Sequence, residues 1–343
     1  MIKLVFRKSS PVFYSIERVF ASLQPYLKVD VKQLPCVSNG LFNRLKNILF
    51  LRRQSSTIMH ITGHDHYLLW YPLKNTILTI HDLEALKRKK GIKYWLFKKL
   101  WFDVPIKNAE MVTTISEFTK KELLALKKFK TPIRVISNPL TISVEFEPKV
   151  ECSSRLKVLH IGTKANKNLL RTIEALKTID CELSIIGKLN REQKKALKES
   201  RVNYRNSNNL SEAEIIAEYR QCDLLSFVST YEGFGLPILE AQAIGRVVLT
   251  SNCASMPEVA GGGAFLVDPF SVQSIQAGIL RLKESKALRK ELVEKGRQNI
   301  ERFEPKKIAK QYKALYEEVE KVEENKRAQS EKLKAKSIKG IGN

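Results

Sequence analysis

The feature that most constrains the fold is an alternation of short apolar runs with helical patterns along nearly the whole chain. Up to about residue 140, six runs rich in β-branched residues begin at residues 2, 29, 57, 76, 111 and 133. Six more such runs begin at residues 156, 181, 202, 223, 246 and 264. Short strands separated by helices are typical of parallel sheets that are covered on both faces. The pattern therefore predicts an α/β fold built from doubly wound parallel sheets.

The two sets of strands are separated by a stretch without periodicity, residues 138–155. A chain of 343 residues is long enough for two domains that each bury a core. We predict an N-terminal domain over residues 1–145 and a C-terminal domain over 146–325, whose last helices could return to the first domain. Residues 326–343 lack apolar periodicity and are rich in lysine, which predicts a basic, disordered tail.

Composition indicates a cytoplasmic protein. The sequence has no apolar run of the length that crosses a bilayer, and its first residues, MIKLVFRKSS, read as a first strand and not as a secretory signal. The five cysteines are scattered and form no C-x-x-C pair. This usage argues against a disulfide framework or a structural zinc site and fits a reducing compartment.

The formal charge of +24 predicts an anionic partner. Nucleic acid, an anionic lipid surface and an acidic glycan are the candidates, and a host with generally basic proteins is a further explanation. The sequence contains no zinc-finger, homeodomain or RNA-recognition signature, so nucleic acid is not expected.

The stretch Thr230–Glu258 carries the clearest candidate site. A strand, DLLSFV, leads into a glycine-bearing turn at residues 232–235 and then into a helix that starts near Pro237. Glycines permit close approach of the backbone to a ligand, and amides at a helix N-terminus favour an anionic or hydroxyl-rich group. Glu232 and Glu240 could accept hydrogen bonds from two sets of hydroxyls, such as those of a ribose and a hexose. The alternative is a tight turn with two solvated acids.

A second loop, residues 160–168, also lies between a strand and a helix. Its lysines and backbone amides suit a nucleoside diphosphate, and the alternative is a solvated basic loop. The next strand ends at Gly187 and Lys188, and Asn209 and Leu210 precede a capping box formed by Ser211 and Glu214.

Together these residues resemble a known family. Glu232 and Glu240 in the setting EGFGLPILEA resemble the E-x7-E motif of retaining GT-B glycosyltransferases of family 4, also called glycosyltransferase group 1. The segments SMPEV at 255–259 and Gly261-Gly262 resemble the continuation of that motif. The resemblance implies a GT-B architecture, in which two Rossmann-like domains face a cleft. It also implies transfer of a hexose from a nucleotide-diphosphate sugar, with retention of configuration and without a metal or other cofactor.

The resemblance also implies roles for individual residues. Glu240 would hold the ribose, Glu232 and the amides after it the hexose hydroxyls, and Lys167 the diphosphate. Backbone groups at Asn209 and Leu210 would meet the base. The family often has arginine where this chain has Thr163, so Lys164 or Lys188 could supply the second phosphate contact. The donor-binding residues implied are Gly162, Thr163, Lys167, Gly187, Lys188, Asn209, Leu210, Glu232, Gly233, Phe234, Gly235, Leu236 and Glu240; the catalytic residues are His81, Glu232 and Lys167.

His81 ends a strand of the first domain. A histidine at such a position is often a structural hydrogen-bonding group, but it resembles the family's active-site histidine, which approaches the transferred sugar. It is not assigned as a general base, because in this kind of transfer the leaving phosphate is thought to take the proton of the acceptor.

The donor is expected to be a UDP- or GDP-linked sugar of mannosyl or glucosyl type. The acceptor is expected to be a glycan or a lipid-linked acceptor, in polysaccharide or lipopolysaccharide biosynthesis. Two other functions use the same residues: a sugar-nucleotide epimerase or hydrolase of the same fold, and a non-enzymatic basic protein that binds nucleic acid or lipid.

Three further features of the first domain leave alternatives open. His60, His64 and His66 surround Asp65 and could bind a metal, although a loop that contacts acceptor or sugar is favoured and no D-x-D motif is present. Arg7 or the amides of Ser9 and Ser10 could contact a donor phosphate. Residues 86–101 combine seven basic residues with four aromatic residues. They suit either an anionic membrane interface at the inner face of the membrane or a helix with its aromatic side chains packed inward.

Overall fold

The computed structural model of the protein describes residues 2–8, 15–54 and 58–339. The described residues form two parallel sheets of six strands each. The first sheet has the order β2-β1-β3-β4-β5-β6 and the second the order β12-β11-β10-β7-β8-β9. All twelve strands coincide with the apolar runs of the sequence, so the predicted α/β fold with doubly wound parallel sheets is confirmed. The strands are Ile2–Phe6 (β1), Val29–Gln33 (β2), Ile58–Ile61 (β3), Thr76–Ile80 (β4), Met111–Thr114 (β5), Ile133–Val135 (β6), Leu156–Ile161 (β7), Cys181–Ile186 (β8), Asn203–Ser207 (β9), Leu224–Phe227 (β10), Val247–Ser251 (β11) and Phe265–Val267 (β12).

Helices connect the strands, as parallel pairing requires. The α-helices are Ser15–Ala21 (α1), Gly40–Arg52 (α2), Glu84–Lys87 (α3), Gly91–Lys98 (α4), Val104–Asn108 (α5), Glu117–Leu126 (α6), Leu169–Leu176 (α7), Arg191–Ser200 (α8), Glu212–Gln221 (α9), Leu236–Ile244 (α10), Met256–Ala260 (α11), Val272–Glu284 (α12), Lys286–Ile300 (α13) and Pro305–Lys339 (α14). A π-helical segment, Lys99–Asp103, joins α4 to α5. None of the helices in the described ranges is long and apolar enough to cross a membrane.

The chain divides into two compact units. The first unit contains the described residues up to Ile115, Thr119–Pro139 and α14, and the second contains Ser116–Phe118 and Leu140–Glu304. Each unit has its own apolar core around its sheet. As limits of independently folding domains, the ranges 1–145 and 146–325 stay predictions.

The last helix, α14, is one that the sequence analysis allowed to return to the first domain. It groups with the first unit, and its Tyr312 and Tyr316 are buried there. The helix continues to Lys339, and the disorder of residues 326–343 stays a prediction. Lysine, glutamate and alanine have high helix propensity, so the composition that suggests disorder is also able to extend an existing helix.

Candidate functional site

The predicted donor loops border the point at which the second sheet changes its direction of winding. In the order β12-β11-β10-β7-β8-β9, this point lies between β10 and β7. Open α/β sheets bind ligands at such a point, outside the carboxyl ends of the strands. The loop after β7 contains Gly162 to Asn168, and the loop after β10 contains Glu232 to Gly235. Strand order therefore brings together two segments that are about 70 residues apart in sequence.

Lys167 and Glu232 meet at this point. The Nζ atom of Lys167 lies 2.8 Å from Oε1 of Glu232, and both side chains are largely buried. The Lys167 Nζ also lies 4.6 Å from the centroid of the Phe227 ring. Gly162 has a φ of +93°, and a Cβ atom there would lie 2.8 Å from Cγ of Lys167. Glycine at 162 is therefore required both by the backbone and by the path of the lysine side chain.

Asn166 and Ser255 hold the Glu232 loop in place. The Nδ2 atom of Asn166 donates to the carbonyl of Tyr231 at 3.0 Å and to Oε1 of Glu232 at 3.2 Å. The hydroxyl of Ser255 lies 2.9 Å from the Glu232 carbonyl and 2.6 Å from the Phe234 carbonyl. Neither residue was assigned a role from the sequence, although both lie within stretches that it singled out. An amide or a hydroxyl that fixes a loop has no spacing pattern by which it could be found.

Glu240, in the second turn of α10, has a separate partner. The hydroxyl of Tyr219 donates to Oε2 of Glu240 at 2.7 Å, from the last turn of α9. Tyr219 is buried, and burial together with the charge of Glu240 raises its pKa well above the usual value. The phenol therefore stays protonated and donates. Sequence reasoning missed Tyr219, because it lies 21 residues from Glu240 and on another helix.

Thr163 is engaged with the protein at the position where the family often has arginine. Its hydroxyl donates to the carbonyl of Lys188 at 2.8 Å, and its own carbonyl accepts from Nε2 of Gln193 at 2.8 Å. A Cβ atom at Gly187 would lie 2.9 Å from the Thr163 side chain. The side chains of Lys164 and Lys188 are exposed. Thr163 thus links the ends of β7 and β8 and leaves the two lysines accessible.

The turn from Gly233 to Leu236 leads directly into α10, which begins at Leu236 and has Pro237 in its first turn, as the sequence predicted. Gly235 has a φ of +116°, a conformation that favours glycine. Phe234 is buried and its ring packs against Phe303, so only its backbone is available to a ligand.

Asn209 and Leu210 lie just before α9, whose first turn has the predicted capping box of Ser211 and Glu214. Tyr219 is at the other end of that helix. Asn209 and Leu210 therefore lie at one end of α9, and Tyr219, the partner of Glu240, lies at the other end.

In the first unit, His81 follows β4 and is buried. Its Nε2 atom lies 2.7 Å from the carbonyl oxygen of Thr62. A carbonyl only accepts, so Nε2 carries the proton and Nδ1 has the free lone pair. Burial lowers the pKa of His81 to about 4, and the imidazole is neutral at physiological pH.

The histidines of β3 and of the segment after it lie in different environments. His60 is bonded on both ring nitrogens, to the hydroxyls of Tyr316 at 2.9 Å and Thr79 at 2.7 Å, and belongs to the core. His66 bonds the carbonyl of Trp101 through Nδ1 at 2.8 Å. The ring of His64 lies 5.5 Å from that of His81. Within the described ranges, no group of three or more His, Cys, Asp or Glu side chains is arranged to hold a metal ion.

The first strand-to-helix loop is described only in part. Arg7 forms a bidentate pair with Glu17, at 2.7 and 2.8 Å. Ser9 and Ser10, whose amides were candidates for a phosphate contact, lie outside the described residues. The guanidinium of Arg7 is therefore already matched by a carboxylate of the protein.

Residues 86–101 contain both of the arrangements considered from the sequence. Tyr94, Phe97 and Trp101 pack against the core of the first unit. Trp95 points outward and is 67% exposed. The segment is therefore neither wholly packed nor wholly exposed.

The two six-stranded parallel sheets with their flanking helices define a GT-B fold of two Rossmann-like units. Residues 148–299 match the family model for "Glycosyl transferases group 1". The chain therefore contains a glycosyltransferase group 1 domain, and this domain includes the predicted donor residues. The resemblance deduced from the sequence is confirmed at this level.

Individual proteins agree with this assignment. The chain is 24% identical to the O-antigen chain mannosyltransferase B of Escherichia coli, over 80% of this chain and 84% of the relative. It is 30% identical to the MMP alpha-(1->4)-mannosyltransferase of Mycolicibacterium hassiacum, over 52% of this chain and 47% of the relative. A solved structure of sucrose-phosphate synthase from Thermosynechococcus elongatus superposes with a TM-score of 0.74, at 15% identity, covering 93% of this chain and 98% of that one. These comparisons support a glycosyltransferase.

Proposed function

We propose that the protein transfers a hexose from a nucleotide-diphosphate sugar to a glycan or lipid-linked acceptor, with retention of configuration and without a metal ion, as family 4 enzymes do. The pairing of Lys167 with Glu232 at the switch point carries this proposal. A lysine of this kind offers a point charge to the diphosphate, and Glu232 is then released to accept hydrogen bonds from sugar hydroxyls. Glu240, fixed by Tyr219, accepts hydrogen bonds from the ribose.

The chemistry that we propose is that of the family which the sequence resembles. As the bond between the anomeric carbon and the diphosphate oxygen breaks, negative charge grows on the leaving phosphate, and Lys167 stabilises it. The acceptor oxygen forms the new bond on the same face, and its proton passes to the leaving phosphate. His81 serves the transferred sugar as a neutral hydrogen-bonding group through its Nδ1 atom, and not as a general base.

Mannose is the sugar that we propose, because both curated relatives described above are mannosyltransferases. The base is that of a UDP- or GDP-linked donor. The relationship to an O-antigen enzyme favours a role in polysaccharide or lipopolysaccharide biosynthesis. We place the protein in the cytoplasm, with peripheral contact to the anionic inner face of the membrane through residues 86–101.

The test is a thermal-shift panel of UDP-, GDP-, ADP- and dTDP-sugars, followed by transfer assays with the donor that stabilises the protein. A ligand present at 100 times its Kd stabilises the folded state by about 2.7 kcal/mol. Lys167→Ala and Glu240→Ala should each abolish or strongly reduce transfer, whereas Lys177→Ala, which removes an exposed lysine from the same unit, should not. Full activity in both site variants would refute the assignment.

The thermal-shift panel and the transfer assays together distinguish the alternative functions. An epimerase or hydrolase would consume the sugar nucleotide without any acceptor. A non-enzymatic binding protein would show no stabilisation by any sugar nucleotide.

A further inference from the structure

The outer face of α2 is apolar and uncovered. Leu41, Phe42, Leu45 and Leu49 lie on one side of this helix and are exposed, Leu41 to 62% and Phe42 to 70%. Ile48 and Leu51, on the other side, are buried in the core of the first unit. A helix that is apolar on both faces is normally covered on both. Only the inner face of α2 packs against the core, so packing does not explain the apolar side chains on its outer face.

A second exposed apolar row lies on α4. Ile92, Trp95 and Leu96 have the spacing of one helix face, and Ile92 is 83% exposed. The core-facing side of the same helix is formed by Tyr94 and Phe97. The exposed residues of α4 therefore are not needed for the core.

Side-chain contacts join the two helices. The guanidinium of Arg44, on α2, lies 4.7 Å from the centroid of the Trp101 ring, and this ring stacks on Phe97 of α4 at 4.9 Å. The Trp101 ring thus links the two helices in the first unit. We refer to their exposed apolar residues as the α2–α4 surface: Leu41, Phe42, Leu45, Leu49, Ile92, Trp95 and Leu96.

The helices that carry this surface are rich in basic residues, of which Lys87, Arg88 and Lys98 are paired with Glu122, Glu84 and Asp103. Residues 31–64 and 85–102 contain no aspartate or glutamate, and they contribute 11 lysines and arginines in and around α2 and α4: Arg44, Lys46, Arg52, Arg53, Lys87, Arg88, Lys89, Lys90, Lys93, Lys98 and Lys99. Lys46 lies over the Phe42 ring at 4.6 Å, and Lys89 lies 5.7 Å from the centroid of the Phe97 ring. Aromatic and aliphatic side chains flanked by lysines suit a lipid headgroup layer. A second copy of the chain would instead place like charges against each other.

We propose that the α2–α4 surface is a membrane-docking surface, in which α2 inserts its apolar row between anionic lipid headgroups alongside α4. This inference rests on the peripheral membrane contact of the proposed function and extends it to a helix in which sequence analysis found no such role. The two helices contribute differently. Lys89, Lys90 and Lys93 supply much of the electrostatic attraction, which salt weakens, and Leu41, Phe42, Leu45 and Leu49 supply burial, which salt does not weaken.

The experiment is co-sedimentation of the full chain with vesicles of phosphatidylglycerol and phosphatidylcholine, at about 0.1 M and about 1 M salt. Leu41→Ser with Phe42→Ser should lower the partition coefficient about tenfold or more, and the remaining binding should stay sensitive to salt. Lys89→Ala with Lys90→Ala should also weaken binding and should reduce its dependence on salt. The matched control is Phe270→Ser, which removes a ring that is 61% exposed in the second unit and should leave binding unchanged.

Two results would overturn the proposal: binding that is unaffected by the Leu41 and Phe42 substitutions, or a dimer in solution that those substitutions dissociate. A blue shift of Trp95 fluorescence on vesicles reports separately on α4, since the Trp70 and Trp101 rings are part of the packed cluster. Donor-induced thermal stabilisation should be the same in all these variants. A failure of docking would therefore be distinguishable from a failure of the proposed transferase function.

Discussion

The two units have the same kind of sheet but differ in the polar groups that lie near the ends of their strands. In the second unit Lys167 follows β7, Glu232 follows β10, and Glu240 lies in α10. In the first unit the switch point lies between β1 and β3, where Arg7 pairs with Glu17, and buried histidines lie in β3 and after β3 and β4: His60, His66 and His81. Burial lowers the pKa of His60 to about 3 and those of His66 and His81 to about 4. One topology thus carries charged side chains near the strand ends of one unit and buried neutral imidazoles near those of the other.

The largest effect that follows from this difference is acid sensitivity of the first unit. A histidine whose pKa is lower in the folded state than in the unfolded state binds its proton preferentially in the unfolded chain. Its contribution to stability is present above about pH 6.5 and is lost as the pH falls towards 4. Between pH 7 and pH 5 the loss is about 2 kcal/mol for each such residue. The first unit has three of them, and the second has His160, whose pKa burial and the charge of Lys167 lower to about 4.

Hydrogen exchange followed at peptide level, corrected for the intrinsic effect of pH, measures this loss in each unit. We expect the first unit to lose more stability than the second between pH 7 and pH 5. His66→Gln should flatten the response of the first unit, and His160→Gln that of the second. Equal losses in the two units of the unmodified chain would show that the buried imidazoles do not control acid stability.

The second prediction removes one hydroxyl from the second unit. Tyr219→Phe deletes the donor that holds Glu240, while the ring and its packing remain. We expect the KM for the nucleotide sugar to rise about tenfold, with a smaller change in kcat, because a hydrogen bond to a charged group contributes about 1.5–3 kcal/mol. Comparison of the natural donor with its 2′-deoxyribose analogue identifies the cause. The variant should discriminate less between the two, and unchanged discrimination would remove Tyr219 from the ribose site.

The sequence was sufficient to predict the strands and the loops that carry the candidate site residues. It was not sufficient to predict the side chains that hold those residues in place. All twelve strands were located, because most of them are short apolar runs that local composition reveals; the edge strands β2 and β9 are more polar and more exposed. The roles of Lys167, Glu232 and Glu240 stay predictions, but these residues were singled out because they follow such strands with a family spacing. Tyr219 was not singled out, since a buried hydroxyl on a separate helix produces no local sequence pattern. The exposed apolar row of α2 was not singled out from the sequence, and only the fold shows that Ile48 and Leu51 already occupy the inner face of this helix.

The smallest predicted effect is that of Tyr316→Phe, which removes one hydroxyl from the first unit as Tyr219→Phe does from the second. Tyr316, on α14, bonds Nδ1 of His60 at 2.9 Å, and both residues are buried. Tyr316→Phe leaves that nitrogen without its partner, which should lower the free energy of unfolding by about 1–2 kcal/mol. The KM for the donor should not change, because the hydroxyl supports a neutral core histidine and not a ligand-binding acid. Denaturant titration and donor kinetics on the two phenylalanine variants therefore form a matched pair. If Tyr316→Phe raised the KM as Tyr219→Phe does, the division between a structural polar network in the first unit and a ligand-binding one in the second would fail.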